Sequence, residues 1–290
     1  MSLRGLRILA AVAGKGSFAA AAEQLGLTQS AVSLQIKNLE EAFGVPLFER
    51  TGRSPKLNLN GKLAVQRARE ILDLYDGIKG ELSPSDAIKG VLTLGAVPTV
   101  ITGSLPAVLG RLRQRHGEMQ VRLVSSLSAE LVRRVEEGDL DAALTTEPPF
   151  PIPPHSQWQT YDEEPFFVVA PKSAAAGTVK ELFEGYPFVR FDKTAWAGAL
   201  VDAQLTAQGI RPREVTELDS LEAAASMVEQ GLGIAVVPLN RQRLREAKTH
   251  FQLTPFGAPQ LTRRMGMYQK RRHPRLALTQ VVLDELRLES

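Results

Sequence analysis

Gln29, Ser30, Ser33 and Lys37 follow one another at steps of one, three and four along a stretch with helical spacing, so they share a face. The chemistry open to them is recognition without covalent work. Short neutral donors and acceptors with one cation suit base edges and phosphates in a DNA major groove. Leu34 sits among them, and its apolar side chain matches a thymine methyl better than a phosphate or a guanine edge. Other reactive groups are scarce. The chain has no cysteine, which excludes disulfides, thiolate zinc sites and thiol nucleophiles. Its four histidines, His116, His155, His250 and His273, lie far apart and lack metal-site spacing. No phosphate loop, nucleophile elbow, HExxH or GxGxxG is present. Catalytic residues, metal ligands and cofactors are therefore all expected to be none.

The elements that would position the polar face are legible around it. Ser17 is a suitable N-cap for a helix over Phe18–Leu25, Gly26 supplies a sharp turn, and Thr28 caps a second helix reaching Phe43. On that second helix Val32, Ile36, Leu39 and Phe43 form a stripe to bury, and Ala21, Ala22 and Leu25 supply the facing surface. Beyond Arg50, the segment Thr51–Lys56 is a basic turn between Leu47–Phe48 and Leu57–Leu59, a wing whose cations would lie along a phosphate backbone. The expected DNA-contacting set is Ser17, Thr28, Gln29, Ser30, Ser33, Leu34, Lys37, Arg50, Arg53 and Lys56. Residues 61–82 read as one further helix. Its Ala64, Ala68, Ile71, Tyr75, Ile78 and Leu82 repeat at steps of four and three, as in a helix packed along another helix. A helix docked on its own domain is the alternative. Ser83, Pro84 and Ser85 should end it.

With 290 residues the chain is long enough for two unequal domains, and no apolar run approaches a membrane span. The N-terminus lacks the order of a secretory signal, so a cytoplasmic location is expected. The charge is uneven: eleven Lys and Arg face seven Asp and Glu in residues 1–80, against twenty-four and twenty-five beyond. A basic end on a near-neutral body is the footprint of one end that meets phosphate. After residue 90 the pattern alternates. Strands are expected over Val91–Gly95, Met119–Ser125, Ala142–Thr146, Phe166–Ala170, Phe188–Phe191 and Gly233–Val237. Helices are expected from Pro98 or Thr99 to His116, over Ser128–Glu137, Ala195–Gln208 and Leu221–Gln230, and after Pro274. Such alternation implies a mostly parallel sheet covered on both faces.

The run from Ser17 to Arg50, SFAAAAEQLGLTQSAVSLQIKNLEEAFGVPLFER, closely resembles the LysR family of transcriptional regulators. The match lies at Ala21-Ala22, Leu25, Gln29, Ala31-Val32-Ser33, Gln35-Ile36, Leu39-Glu40, Gly44, Leu47-Phe48 and Arg50. The chain departs from the family at Ser30, usually proline, at Leu34, often arginine, and in the LNLNG that ends the wing. Base-by-base carry-over from relatives is therefore unsafe. Later, SLSAELVRRVEEGDLDAALTTEP and QGLGIAVVP resemble the family's sensing domain. The resemblance implies an α/β protein overall: an all-α winged helix-turn-helix over 1–60, a linker and dimerisation helix over 61–89, and an effector-binding domain over 90–290. That last domain would be similar to periplasmic solute-binding proteins. Its two lobes, about 90–161 with 266–290 and about 165–260, would be joined by two crossing strands.

Several helices in this region start just after a strand with hydroxyl or small residues. If those ends share a cleft, their amides favour a small anionic or polar effector. The expected effector-binding residues are Val97, Pro98, Thr99, Ser126, Ser128, Thr146, Phe191, Thr194 and Trp196, with Thr99 foremost because Pro98 presets a helix start. Arg190 or Lys193 would pair with a ligand carboxylate, a place in the core or on the surface being equally open to them and to Phe191 and Trp196. The partners implied are promoter DNA, the effector, a second copy of the chain in a dimer or tetramer, and RNA polymerase, with no membrane. Two other readings stand beside this one: a nucleoid-like DNA-binding protein with little site preference, and an enzyme or transport protein on a solute-binding fold.

Overall fold

The computed structural model describes residues 2–49, 55–82 and 88–289, without the side chains of 73, 74 and 76–82. Arg50 and Arg53, and the expected helix stop at 83–85, lie outside the described residues. The chain divides into two compact units, Met1–Asp86 with Arg272–Pro274, and Ala87–Arg271 with Arg275–Ser290. No described helix is long and apolar enough to cross a membrane.

The first unit is helical: α1 (Leu3–Lys15), α2 (Phe18–Leu25), α3 (Gln29–Phe43) and α4 (Leu59–Leu82). Ser2, Ser17 and Thr28 each cap a helix by accepting from the amide three residues on. Between α2 and α3 the chain reverses through Gly26, whose φ of 64° is open to glycine but strained for other residues. Leu6, Leu9 and Val12 of α1 pack with Ala21, Ala22, Val32, Ile36 and Leu39. The expected stripe on α3 ends one turn early, because Phe43 is 39% exposed. Leu47, returning after Gly44 with its amide bonded to Glu40 of α3, is the side chain buried there instead. Phe48 and Leu57 pair as an antiparallel bridge at the base of the wing.

The long helix corrects a second expectation. Val65, Ala68 and Leu72 of α4 are buried in the unit's own core, so Ala68 faces inward. Ile71 and Tyr75 are 40% and 42% exposed. The first turns of α4 are thus docked at home, and among the described side chains of the expected stripe Ile71 and Tyr75 are the exposed ones. Ile78 and Leu82 lie outside the described side chains.

The second unit is a mixed α/β body. Its strands are β1 (Gly90–Ala96), β2 (Met119–Ser125), β3 (Ala142–Thr146), β4 (Ser156–Pro171), β5 (Phe188–Phe191), β6 (Glu214–Leu218), β7 (Ala235–Pro238), β8 (Phe251–Pro255) and β9 (Thr262–Lys270). The main sheet runs β2-β1-β3-β9-β4-β7, with β8 also on β4, and β5 pairs with β6. Among the described strands the pairs β1 with β2, β1 with β3, and β5 with β6 are parallel, and those made by β4 and β9 are antiparallel. The sheet is therefore not mostly parallel, because two long strands run against its neighbours.

Those strands link two sets of cores. Ser156–Pro165 pairs with β9 beside one core, built on Leu94, Leu105, Leu131, Met267 and Leu283. Phe166–Pro171 pairs with β7 and β8, and its alternation sends Val168 into one cluster and Val169 into another. Only Phe166–Ala170 had strand character in the sequence, since the polar QWQTYDEEP before it hid the first half.

The helices of this unit are α5 (Pro98–Ile101), α6 (Leu105–Arg115), α7 (Ser128–Glu136), α8 (Val179–Gly185), α9 (Trp196–Ala207), α10 (Leu221–Glu229), α11 (Arg241–His250) and α12 (Leu276–Glu289). The helix expected from Pro98 to His116 is broken at Thr102–Ser104. Pro106 has no amide to give the carbonyl of Thr102, and its ring would clash with it, so a new helix starts at Leu105.

Candidate functional sites

On α3 the buried stripe leaves Gln29, Ser30, Ser33, Leu34 and Lys37 exposed on one side. Thr28 and Ser30 share a hydroxyl hydrogen bond of 3.0 Å, and Thr28 also accepts from the Ala31 amide. Both hydroxyls are thereby oriented at the helix start. Lys37 lies 3.8 Å from Glu41, an exposed pair weak enough to open for a phosphate. Ser17 accepts from the Ala20 amide at 3.4 Å as the cap of α2. Lys56 is exposed on the described arm of the wing, where its carbonyl accepts from the Glu49 amide at 2.8 Å. The resulting surface is a polar helix face in the same unit as the Phe48–Leu57 bridge and Lys56.

The second unit contains a small, partly open cavity. Seven of the nine expected residues line it: Val97, Pro98, Thr99, Ser128, Thr146, Phe191 and Trp196. Ser126 and Thr194 do not. Thr194 is turned onto its own loop, where its amide and hydroxyl each lie 2.7 Å from an Asp192 oxygen. Arg190 is not a ligand cation either. It is 3% exposed and held by Asp202 at 3.0 Å and Glu214 at 2.8 Å. Strand alternation explains the difference, since Phe191 faces the cavity and its neighbour faces away. Lys193 is exposed and does not line the cavity.

Residues without a local sequence signal complete the walls. Arg263, on the crossing strand β9, donates to Glu164 at 2.6 and 2.7 Å and to the Thr99 hydroxyl at 2.9 Å. Ser128 accepts from the Thr146 amide at 3.3 Å. Helices α7 and α9 begin at the cavity wall, with Leu127 and Ala195 as caps that make no side-chain bond. Asp219 and Glu222 stand on the α10 side. Glu222 accepts from Thr102 at 2.9 Å and from Arg243 at 3.2 Å, and Arg243 also donates to Thr102. Burial pushes the Glu222 carboxyl up, but its own backbone amide, Thr102 and Arg243 outweigh this and hold it below the ordinary value. Trp196 is steadied by Phe150, edge to face at 5.7 Å.

Comparison with known proteins gives two matches along the chain. Residues 3–62 match the family described as "Bacterial regulatory helix-turn-helix protein, lysR family", and residues 85–289 match "LysR substrate binding domain". The HTH-type transcriptional regulator CzcR of Bacillus cereus is 31% identical over 238 residues, covering 82% of this chain and 80% of that protein. A probable RuBisCO transcriptional regulator of Porphyra purpurea is 32% identical over 248 residues, covering 82% and 78%. Among solved structures, a full-length OxyR variant from Pseudomonas aeruginosa superposes with a TM-score of 0.82 at 24% identity, covering 100% of this chain and 96% of that one.

Proposed function

The chain belongs to the LysR family of transcriptional regulators, with a helix-turn-helix DNA-binding domain and an effector-binding domain, and from that premise we propose how its residues divide the work. Gln29, Ser30, Ser33 and Leu34 read operator bases in the major groove, while Lys37, the wing cations Arg50, Arg53 and Lys56, and the capped starts of α2 and α3 set the register on phosphates. The cavity takes the effector. The observation that carries this is the convergence of residues 97–99, 127, 128, 146, 191, 195–197, 219, 221, 222 and 263 on one cleft. A ligand there touches α5 and α7 as well as α9 and α10, so it changes the balance between conformations only by binding one better than another.

Self-association uses the free part of the α4 stripe, beginning at Ile71 and Tyr75, and places two reading heads on paired half-sites. RNA polymerase is the partner through which a bound regulator changes output. This reading assigns the protein to the cytoplasm and gives it no catalytic step.

The test is a genome-wide footprint in the native host, followed by affinities for the enriched site and for random DNA at one fixed salt. Sharp peaks beside promoters and a preference of about a thousandfold or more are expected. Diffuse enrichment with a preference near unity would show a nucleoid-like binder instead.

A further inference from the structure

Resting on the effector reading of this cavity, the charges around it restrict what can enter. Among the described residues that line it, Arg263 is the only cation. Its guanidinium is already neutralised by the buried carboxylate of Glu164 and engaged with Thr99. Glu222 is matched by Arg243. Asp219, exposed at the wall, makes no ion pair or hydrogen bond among the described residues. The lining with its immediate partners thus carries one uncompensated negative charge and no cation free for a carboxylate.

The remaining polar groups point the other way. The Thr99 hydroxyl accepts from Arg263 and keeps its own hydrogen for donation. The Ser128 hydroxyl accepts from the Thr146 amide and is left in the same position. The first-turn amides of α7 and α9 have no side-chain cap. These donors line the same cavity as the Asp219 and Glu222 carboxylates, with Glu222 held beside α5 by its bond to Thr102. Phe191 and Trp196 between them offer aromatic faces that tolerate an apolar body or an ammonium group.

We infer that the effector is a small amphoteric molecule of the amino-acid class, with an oxygen acceptor for the hydroxyls and helix starts and a protonated amine for Asp219. A simple carboxylate satisfies the donors but meets an unopposed negative charge.

The test uses the full chain and two sets of compounds that share a skeleton: hydrocinnamate, phenethylamine and phenylalanine, then isocaproate, isoamylamine and leucine. Binding is measured by calorimetry, and by the shift in thermal unfolding, for the wild type and for Asp219→Asn. In at least one set the zwitterion should bind most tightly, and Asp219→Asn should weaken it about fivefold while leaving the acid unchanged or improved. Equal or tighter binding of the acid by the wild type overturns the inference. Silence of all six compounds at millimolar concentration overturns it too. A cavity-filling Leu127→Trp variant, checked for folding by circular dichroism, then reports on the effector reading itself. If it abolishes regulation in the host, that reading stands without the proposed ligand class; if regulation is untouched, both fall.

Discussion

Leu34 is 56% exposed on the otherwise polar face of α3. A lone exposed leucine is unremarkable on a protein surface; its place beside Ser30, Ser33 and Lys37 gives this one meaning. If it covers a thymine methyl, replacing thymine by uracil one position at a time in a selected site should expose the contact. The wild type should lose about fourfold at a single position, roughly the value of one buried methyl, and Leu34→Ala should lose nothing further there. Uniform insensitivity of the wild type would remove Leu34 from base reading. Lys56 belongs to the opposite class of contact. Lys56→Ala should weaken binding to every sequence and lower the salt slope by about one, whereas Ser33→Ala should change preference more than overall affinity. Filter-binding titrations across several salt concentrations separate the two. At this scale the sequence was informative wherever chemistry and local position coincide. Thr99, Ser128 and Trp196 could be found because they follow strands and open helices. Arg263 could not, because TRRM reads as a polar loop until the long pairing with β4 is known, and Arg190 was misjudged because one residue of strand alternation reverses its face.

The connections between elements depend on a few groups that no periodicity marks. Glu40 of α3 accepts from the amides of Leu47 at 2.7 Å and Phe48 at 3.3 Å, fixing the approach to the wing. Glu40→Ala should strip two partly buried donors of their acceptor and cost about 2 kcal/mol, with Glu40→Gln recovering part of it. Urea unfolding monitored by circular dichroism checks both; unchanged stability would mean that water replaces the carboxylate without loss. Gly198 makes a comparable junction in the second unit. A Cβ there would lie 1.9 Å from the Asp192 carbonyl oxygen, so the loop ahead of α9 closes onto the helix only over glycine. Gly198→Ala should cost about 1–3 kcal/mol and displace the wall carrying Trp196, visible as altered tryptophan fluorescence. A native spectrum with full stability would show that the loop has room to yield. The helices α2 and α3 and the strands β2 and β3 were legible to the residue, because caps, turn glycine and short apolar runs agree there. What failed was the long view. The break before Pro106 interrupts an otherwise helical pattern, and the polar half of β4 and all of β9 are strands because of distant partners, β4 on β9 and β9 between β3 and β4.

Across the whole molecule, carboxylates that fold into hydrogen-bonded settings link stability to pH. Glu136, half-buried, accepts from Ser156 at 2.5 Å and from Tyr268 at 2.7 Å, and lies 2.7 Å from the His155 ring nitrogen. Burial pushes its carboxyl up, but Ser156, His155 and Tyr268 together hold it below the ordinary value of 4.5. Glu222 is likewise lowered, against burial, by its own amide, Thr102 and Arg243. Glu285 is lowered chiefly by its bond to Arg111, which ties α6 to α12. Asp162 runs in the other direction, raised by burial beside Glu164. For each lowered group the native state holds the proton less tightly than the unfolded chain. Its contribution is therefore complete above the ordinary carboxylate value and drains away as pH falls through the lower folded value. For Asp162 the penalty of ionisation is relieved by acid, which offsets part of that loss. With these three lowered groups joined by Glu130, Glu181 and Asp192 against this one, thermal stability should hold from neutrality down to about pH 5 and fall steeply below about pH 4.5. Glu136→Gln should melt lower than the wild type at pH 7 and yet lose less on acidification, because the group whose protonation drives part of the loss is gone. Parallel calorimetric scans of the two proteins decide the matter. Curves that stay the same distance apart at every pH would show that the Glu136 cluster contributes packing alone, and that the acid sensitivity resides in other carboxylates.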